Sequence, residues 1–224
     1  MSKPVIKGLI PARSGSVRVK NKNMRVFANG ETLLEIKIKQ LLRVPELDGV
    51  IVNSDDNEML RCAKKLGAET VKRKPYFGTA TVSNNEAYRE FARTADADII
   101  ALCFCTSPLL EDDTVSECIR LYLANRERHD SVNTADAVKA FLWQDNHPIN
   151  YSELDRPMSQ DLPDIVQLNF AVNIVARARM YEIGNFVGRT PLLHTIPREQ
   201  AVDINDPLDF AFAQWLYQKR CPAK

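Results

Sequence analysis

Short apolar runs alternate with helical patterns through the first 125 residues of the chain. Residues 99–105 are apolar without interruption, which is typical of a strand buried on both faces. Residues 32–42 instead place apolar side chains at 33, 34, 36, 38, 41 and 42, the spacing of a helix with one buried face. This β-α-β-α order predicts an α/β fold with a mostly parallel, Rossmann-like sheet and helices on both faces.

The bounds of the other elements follow from the same patterns and from their caps. Strands are predicted at residues 5–10, 49–53, 69–72, 131–134, 138–143, 166–175 and 193–196. Helices are predicted at residues 58–66, 84–93 and 177–183, from Asp206 or Pro207 onward, and from a cap at Asp113 or Thr114 to about residue 125. Ser83 or Asn84 is expected to cap the helix at 84–93.

Residues 144–163 have no helical pattern and contain three prolines. A structureless stretch of this length is unusual inside a compact domain. We therefore expect one domain over residues 1–224, with an inserted dimerisation arm at about residues 140–165. The arm suggests a homodimer in which each subunit closes the site of the other.

The composition excludes several classes of partner. The formal net charge is only +1, so there is no global basis for binding nucleic acid or a membrane surface. No apolar run approaches the ~18 residues of a membrane span, and the first apolar run is too short for a signal peptide. The five cysteines are odd in number and mostly lie in apolar segments, so we expect buried thiols in a reducing cytoplasm.

A basic stretch follows the first predicted strand. Arg13, Arg18, Lys20 and Lys22 lie within ten residues that contain no acid. Ligands of open parallel sheets bind beyond the carboxyl ends of the strands, so this loop is a candidate phosphate site. The groups that could bind phosphate oxygens are the guanidinium and ammonium groups and the hydroxyls of Ser14 and Ser16, and Gly15 allows the backbone to turn closely around an anion. Neither GxxxxGK[ST] nor GxGxxG is present, and a solvated basic loop is the alternative.

An acidic turn precedes the last predicted helix. Asp203, Asn205 and Asp206 carry the hard oxygen ligands that Mg²⁺ prefers, and alternate residues of an extended segment face the same way. Asp206 stands directly before a proline, which is also typical of a helix cap, so both interpretations stay open for it. Asp55 and Asp56 could likewise hold an ion, contact a ribose or cap a helix, and the cap is favoured.

Six segments together resemble one enzyme family. IPARSGSVRVKNKN (10–23) resembles the opening P-A-R-G-G-S-K-x-I-P-x-K-N of the cytidylyltransferases that activate sialic acid and related nonulosonic acids. The other segments follow in the family's order: VNSDDNEM (52–59), KPYFGTATVSNNEA (74–87), TSPL (106–109), LNFAVNIV (168–175) and DINDPLDF (203–210). The resemblance implies a nucleotide-diphosphosugar transferase fold, CTP and Mg²⁺ as partners, and CMP transfer to an acidic acceptor with release of pyrophosphate.

The resemblance also assigns roles to residues. It implies a nucleotide site made of Ala12, Arg13, Ser14, Gly15, Ser16, Arg18, Lys22, Asn23, Lys74 and Ser83, with Arg13, Lys22 and Asp203 as the catalytic residues. It implies a magnesium site at Asp203, Asn205 and Asp206. The candidates for the acceptor site are Phe104, Lys139, Arg156, Gln167 and Asn169. Lys139 and Arg156 flank the arm and could clamp a carboxylate, and Gln167 could bind a sugar hydroxyl; a surface position is the alternative for each.

The chain also departs from the family pattern. Val17 and Ala80 replace a lysine and an aspartate, Lys74 replaces an arginine, and Asn205 replaces the second carboxylate. Phe104, Phe170 and Asn173 replace a glutamine, a glycine and a tyrosine, which argues for an acceptor other than sialic acid itself. The alternatives are a phosphonate acceptor, another nucleoside triphosphate, or a nucleotide-binding protein that has lost catalysis.

Overall fold

A seven-stranded sheet forms the centre of the structure, a computed structural model that describes residues 3–16, 18–79 and 81–222. The strands are, in chain order, β1 (Ile6–Ala12), β2 (Val26–Ala28), β3 (Glu31–Thr32), β4 (Gly49–Ser54), β5 (Glu69–Lys72), β6 (Ile99–Leu102), β7 (Ser131–Val138), β8 (Trp143–Gln144), β9 (His147–Pro148), β10 (Ile165–Ala176) and β11 (Pro191–Thr195). The sheet order is β11-β7-β10-β6-β1-β4-β5, and β10 alone among these strands is antiparallel to its neighbours. The mostly parallel sheet confirms the prediction.

Helices cover both faces of this sheet. They are α1 (Leu33–Leu42), α2 (Asn57–Lys65), α3 (Asn84–Thr94), α4 (Asp112–Asn125), α5 (Arg177–Ile183) and α6 (Pro207–Arg220). Side chains alternate along β1, so that Ile6 and Ile10 pack with α1, α2, α4 and α6, whereas Leu9 packs with α3 and α5 on the opposite face. Burial on both faces explains why the central strands are apolar almost throughout.

The strand expected at residues 138–143 is absent from the structure. β7 continues to Val138 along β10, and the chain then leaves the sheet. The side chain of Asn150 takes over the hydrogen bonds that a strand partner would make, since its Oδ1 accepts from the Leu142 amide at 2.9 Å and its Nδ2 donates to the Ala140 carbonyl at 2.9 Å. The arm then consists of the β8–β9 hairpin and a 3₁₀ turn at Ser159–Asp161.

The cap expected at Asp113 or Thr114 is wrong. Helix α4 begins at Asp112 after Glu111, and no side chain of the helix start makes the capping bond. Gln200, from far along the chain, binds the start of the helix instead: its Oε1 accepts from the Glu111 amide at 3.2 Å and from the Thr114 hydroxyl at 2.6 Å. The other expected caps are confirmed, because Ser83 caps α3 and Asp206 caps α6, each in a capping box.

The cysteines are not all buried. Cys103, Cys105 and Cys118 lie in the core, where burial raises the pKa of the Cys105 thiol to about 12. Cys62 is half-buried and Cys221 is exposed after α6, so the expectation of buried thiols is wrong for Cys221. Periodicity identifies a helix face, but it does not extend to a residue that follows the last helical turn.

Strand β10 contains an irregularity at Phe170. Its register against β7 shifts between Leu168 and Asn173, and Phe170 has a φ of 58°. A left-handed backbone costs a residue with a side chain roughly 1–2 kcal/mol. Two side chains hold the irregularity: Asn173 Nδ2 donates to the Phe170 carbonyl at 2.9 Å, and Asn169 Oδ1 accepts from the Ala171 amide at 3.2 Å.

Candidate active site

A cavity of about 400 Å³ opens beyond the carboxyl ends of β1 and β6. The chain leaves β1 toward β4 on one side and returns through β6 on the other, so this is the point where the strand order reverses and where such sheets bind ligands. We call it the basic cavity, and its polar and charged lining includes Arg13, Ser16, Arg18, Lys22, Asn23, Arg73, Thr79, Asn84, Thr106 and Asn205. Among the described residues it has four cationic side chains and no acidic one in its lining.

The loop after β1 is held open by a neighbouring strand end. Ala12 is buried at the end of β1, and Gly15 has a φ of 71°, which favours glycine. Asp55 accepts from the Ser14 amide at 2.9 Å and from the Ser14 hydroxyl at 2.6 Å. Burial opposes ionisation of Asp55, but these two bonds outweigh it and lower its pKa. Asp55 therefore fixes the loop, while Asp56 caps α2.

The acidic turn meets the basic loop, as expected from the sequence. Lys22 Nζ donates to the Ile204 carbonyl at 2.7 Å, and Arg18 Nη2 donates to Asn205 Oδ1 at 3.3 Å. Asn205 Nδ2 donates in turn to Asp203 Oδ2 at 2.7 Å. The cations after β1 and the residues before α6 therefore belong to one site, although they are almost two hundred positions apart in the chain.

The charges in this site affect one another. Partial burial lowers the pKa of Lys22, the negative charge of Asp203 opposes this shift, and the positive charges of Arg18 and Arg13 reinforce it. A lysine that is partly desolvated among other cations gains more than an exposed one when an anion binds, because the anion relieves the repulsion. The loop is thus electrostatically suited to an anionic ligand.

The three candidate magnesium ligands differ in their surroundings. Asp206 Oδ1 accepts from the amides of Leu208 and Asp209 at 2.8 and 2.9 Å, which is the capping role. Asp203 and Asn205 are bonded to each other beside the basic cavity. In the described part of the chain, no group of three His, Cys, Asp or Glu side chains is placed to hold a metal ion. A magnesium site at these residues stays a prediction.

In the segment expected to contact cytidine, the residue that lines the basic cavity is Arg73 and not its neighbour Lys74. Lys74 lies outside the lining of the basic cavity, and the Ser83 hydroxyl is bonded to Glu86 in the cap of α3. Arg73 is buried at the cavity wall: its Nε donates to Asn53 Oδ1 at 2.8 Å, and its guanidinium lies 4.8 Å from the Phe91 ring centre. Burial lowers the pKa of Arg73. Its position directly after β5 was the signal that could have identified it, since parallel strand ends share one edge.

The five acceptor candidates are dispersed. Phe104 lines the basic cavity. Lys139 is paired with Asp164 at 2.7 Å, and the Arg156 guanidinium lies 4.5 Å from the Phe141 ring centre, both within the arm. Gln167 and Asn169 each donate to Asp136 on the adjacent strand. Within one chain only Phe104 of this set reaches the cavity.

Two departures noted in the sequence, Val17 and Ala80, lie outside the described residues. The two other departures noted in the sequence, Lys74 and Asn205, differ in their position relative to the basic cavity. Asn205 lines the basic cavity and links Arg18 to Asp203, whereas Lys74 is exposed at the start of a 3₁₀ turn.

The mostly parallel sheet, with helices on both faces and a basic cavity at its reversal point, has the nucleotide-diphosphosugar transferase type of fold. Within the described ranges, no helix has the length and apolar character needed to cross a membrane. The chain belongs to the cytidylyltransferase family, whose model matches residues 7–163.

Individual relatives agree with this assignment. The N-acylneuraminate cytidylyltransferase of Oncorhynchus mykiss is 28% identical over 218 residues, which cover 93% of this chain and 49% of that protein. The pseudaminic acid cytidylyltransferase of Campylobacter jejuni subsp. jejuni serotype O:2 is 24% identical, covering 94% of this chain and 95% of that protein. The chain therefore spans about half the length of the first relative and nearly all of the second.

A solved structure shows the same fold. CMP:2-keto-3-deoxy-manno-octonic acid synthetase complexed with CTP superposes with a TM-score of 0.70 at 13% identity, covering 96% of this chain and 99% of that one. At this identity the likeness establishes the architecture of the sheet and helices only.

Proposed function

We propose that this chain transfers CMP from CTP to an acidic sugar acceptor of the nonulosonic type and releases pyrophosphate. The observation that carries the proposal is the basic cavity, in which Arg13, Arg18, Lys22 and Arg73 face one space without an acidic residue in the described lining. Such a space favours a ligand with several negative charges, which the triphosphate of CTP supplies, and the carboxylate of an acidic sugar adds one more. The names of the relatives support the choice of CTP and of the acceptor class.

The reaction needs positioning and charge stabilisation more than covalent chemistry from the protein. An acceptor oxygen attacks the α-phosphorus, a new P–O bond forms, and the bond to the β-phosphate oxygen breaks. The departing pyrophosphate takes the electron pair, and the acceptor hydroxyl gives its proton to solvent water. Arg13, Arg18 and Lys22 would hold the β- and γ-phosphates and stabilise this developing charge.

We further propose that Mg²⁺ assists this reaction. The carboxylate of Asp203 and the amide oxygen of Asn205 are hard donors beside the basic loop, and Mg²⁺ commonly binds one or two protein carboxylates together with substrate phosphates. When bound, the ion would neutralise phosphate charge. Asp206 is expected to act indirectly, because its carboxylate caps α6 and so fixes the turn that carries Asp203.

We also propose that the protein is a homodimer and acts in the reducing cytoplasm, consistent with its buried free thiols. The arm exposes Trp143, Ile149, Leu154 and Met158, and Leu154 is 99% exposed. An arm that packs on a second subunit would bury these side chains and could bring Lys139 or Arg156 to the partner's acceptor. Light scattering should give the mass of two chains, and Leu154→Asp should give one; a monomeric wild-type protein would refute the dimer.

The function itself is tested by pyrophosphate release. The protein is incubated with Mg²⁺, each of the four nucleoside triphosphates and a panel of acidic sugars and phosphonates. Pyrophosphate should appear with CTP and an acidic sugar, together with the CMP conjugate identified by mass spectrometry. Release with another triphosphate alone, or CTP binding without release for every acceptor, would overturn the proposal. Omission of Mg²⁺, with manganese and calcium as replacements, tests the metal requirement in the same assay.

A further inference from the structure

A second cavity adjoins the basic cavity. It measures about 530 Å³ and shares Asn84, Tyr88 and Phe104 with the basic cavity, so the two lie side by side with a common wall, and we call the pair the cleft. The remainder of its lining consists of Asn85, Leu168, Phe170, Gly184, Asn185, Phe186 and Val187. We call it the aromatic cavity.

The two ends of this cleft differ in charge. No charged side chain lines the aromatic cavity among the described residues, whereas four cations line the basic cavity. An acidic acceptor that spans the cleft therefore has its carboxylate toward the cations, because a carboxylate in the aromatic cavity would be desolvated without an opposite charge. The uncharged end of the acceptor must then occupy the aromatic cavity.

Four rings form the wall of this cavity, with Phe186 at the centre. Its ring centroid lies 4.8 Å from that of Tyr88, 5.4 Å from that of Phe170 and 6.1 Å from that of Phe104, all in edge-to-face geometry. Asparagine amides from α3 and from the loop after α5 supply the only polar side chains of the described lining besides the Tyr88 hydroxyl. A ligand group that matches this lining is apolar where it meets the rings and carries at most one amide, which the asparagine side chains can bind.

Phe170 is the member of the wall whose presence requires explanation. It occupies a left-handed backbone position that glycine would adopt without cost, and the residue as a whole is still 38% exposed. Core packing therefore offsets the strain only in part. Strained residues of this kind concentrate at ligand sites, and Phe170 lines the aromatic cavity.

We propose that Phe170 determines acceptor specificity: it selects acidic sugars whose end remote from the carboxylate carries a methyl group, as in a deoxy or acylamino substituent, over acceptors with a free hydroxymethyl end. The inference rests on the proposed transfer to an acidic acceptor. Against the face formed by the rings of Phe104, Phe170 and Phe186, a hydroxyl loses its water without gaining a partner, whereas a methyl group gains apolar contact. One small group in an apolar pocket commonly changes kcat/KM by about 10- to 200-fold.

The test uses two acidic sugars that differ only in a terminal methyl or hydroxymethyl group. Wild-type protein should favour the methyl acceptor by about tenfold or more in kcat/KM at saturating CTP. Phe170→Gly and Phe170→Ala should both bring this ratio close to one and leave the KM for CTP unchanged. Phe212→Ala is the matched control, because Phe212 is an exposed aromatic on α6 away from the cleft, stacked on Trp215.

Two further readouts separate the possible failures. The two Phe170 variants lack the same ring but differ in backbone strain, so equal specificity with unequal thermal stability assigns the effect to the ring. Calorimetric binding of both acids without CTP measures the preference even if no pyrophosphate is released, which separates failure of the proposed function from failure of this inference. A wild-type preference for the hydroxymethyl acid, or a preference that both variants retain, would overturn the role of Phe170.

Discussion

Replacing Lys22 by methionine removes one charge from the basic cavity and keeps most of the side chain's volume. Lys22 Nζ joins the loop after β1 to the turn before α6 through its bond to the Ile204 carbonyl at 2.7 Å, beside the longer bond from Arg18 to Asn205. The same ammonium lies among the cations that line the cavity. The substitution therefore changes both the connection between two segments and the charge offered to the leaving pyrophosphate.

The two effects have different sizes. A hydrogen bond from a charged group contributes about 1.5–3 kcal/mol, and the burial that lowers the pKa of Lys22 offsets part of this. We therefore expect the free energy of unfolding to fall by less than about 2 kcal/mol. Loss of one preorganised donor to a developing negative charge costs roughly 10²–10³ in kcat, or about 2.7–4 kcal/mol. The rate should consequently fall far more than the stability.

The assay is continuous pyrophosphate release with CTP, Mg²⁺ and the best acceptor of the panel, alongside urea denaturation of each variant. Lys20→Met is the matched control, since Lys20 is an exposed lysine of the same loop and lies outside the cavity lining. Lys22→Arg keeps the charge and should retain more activity than Lys22→Met. We expect Lys20→Met to stay within a few-fold of the wild-type rate.

Two results would refute this reasoning. If kcat of Lys22→Met stays within about threefold of wild type, the ammonium does not stabilise the leaving group. If Lys20→Met loses as much activity as Lys22→Met, the loop contributes only general positive charge and the specific position of Lys22 has no role.

Three further predictions concern caps and titrations. Asp206→Ala should lower the free energy of unfolding by about 0.5–2 kcal/mol, measured in urea, because it removes the cap of α6. Asp206→Ser should keep both the cap and the Mg²⁺ dependence of the rate. Loss of that dependence in the serine variant would show that Asp206 is a metal ligand. Activity should decline at alkaline pH below the ordinary lysine value of 10.5, since the protonated form of Lys22 is the active one and its pKa is lowered; Lys22→Arg should move this limb upward. Burial raises the pKa of Asp130, but bonds from the Arg189 and Thr190 amides and from Arg179 outweigh this and lower it to about 2. The native state then binds fewer protons than the unfolded state, so this stabilisation is present above pH 3.8 and is lost as the pH falls to about 2; unfolding of Asp130→Asn should lack that dependence.

Local signals in the sequence were sufficient for much of the sheet and helix layer. β5 and α5 have the predicted bounds, and the predicted helix after Ser83 differs by one residue at its end. These elements combine a short apolar pattern with a cap or a glycine close in sequence. The meeting of the basic loop with the turn that carries Asp203 was expected from the family resemblance, because both segments match motifs of that family.

The errors arise where a distant side chain decides the local structure. Gln200 binds the residues at the start of α4, and Asn150 binds the backbone of residues 140 and 142, where a strand was expected. Neither residue carries a local signal for these roles. Arg73 was missed for a related reason: its neighbour Lys74 matched a family pattern, whereas the bond to Asn53 that fixes Arg73 at the cavity becomes visible only in three dimensions.

Strand β10 connects the arm to the centre of the sheet. It begins at the end of the arm, shifts register at Phe170, and finishes against β6 in the centre of the sheet. Because the arm leads directly into the strand that carries Phe170, a displacement of the arm would be passed along β10 to the ring that we propose to contact the acceptor. If a second subunit grips the arm, dilution to single chains should alter which sugars are accepted, and not merely how fast they react.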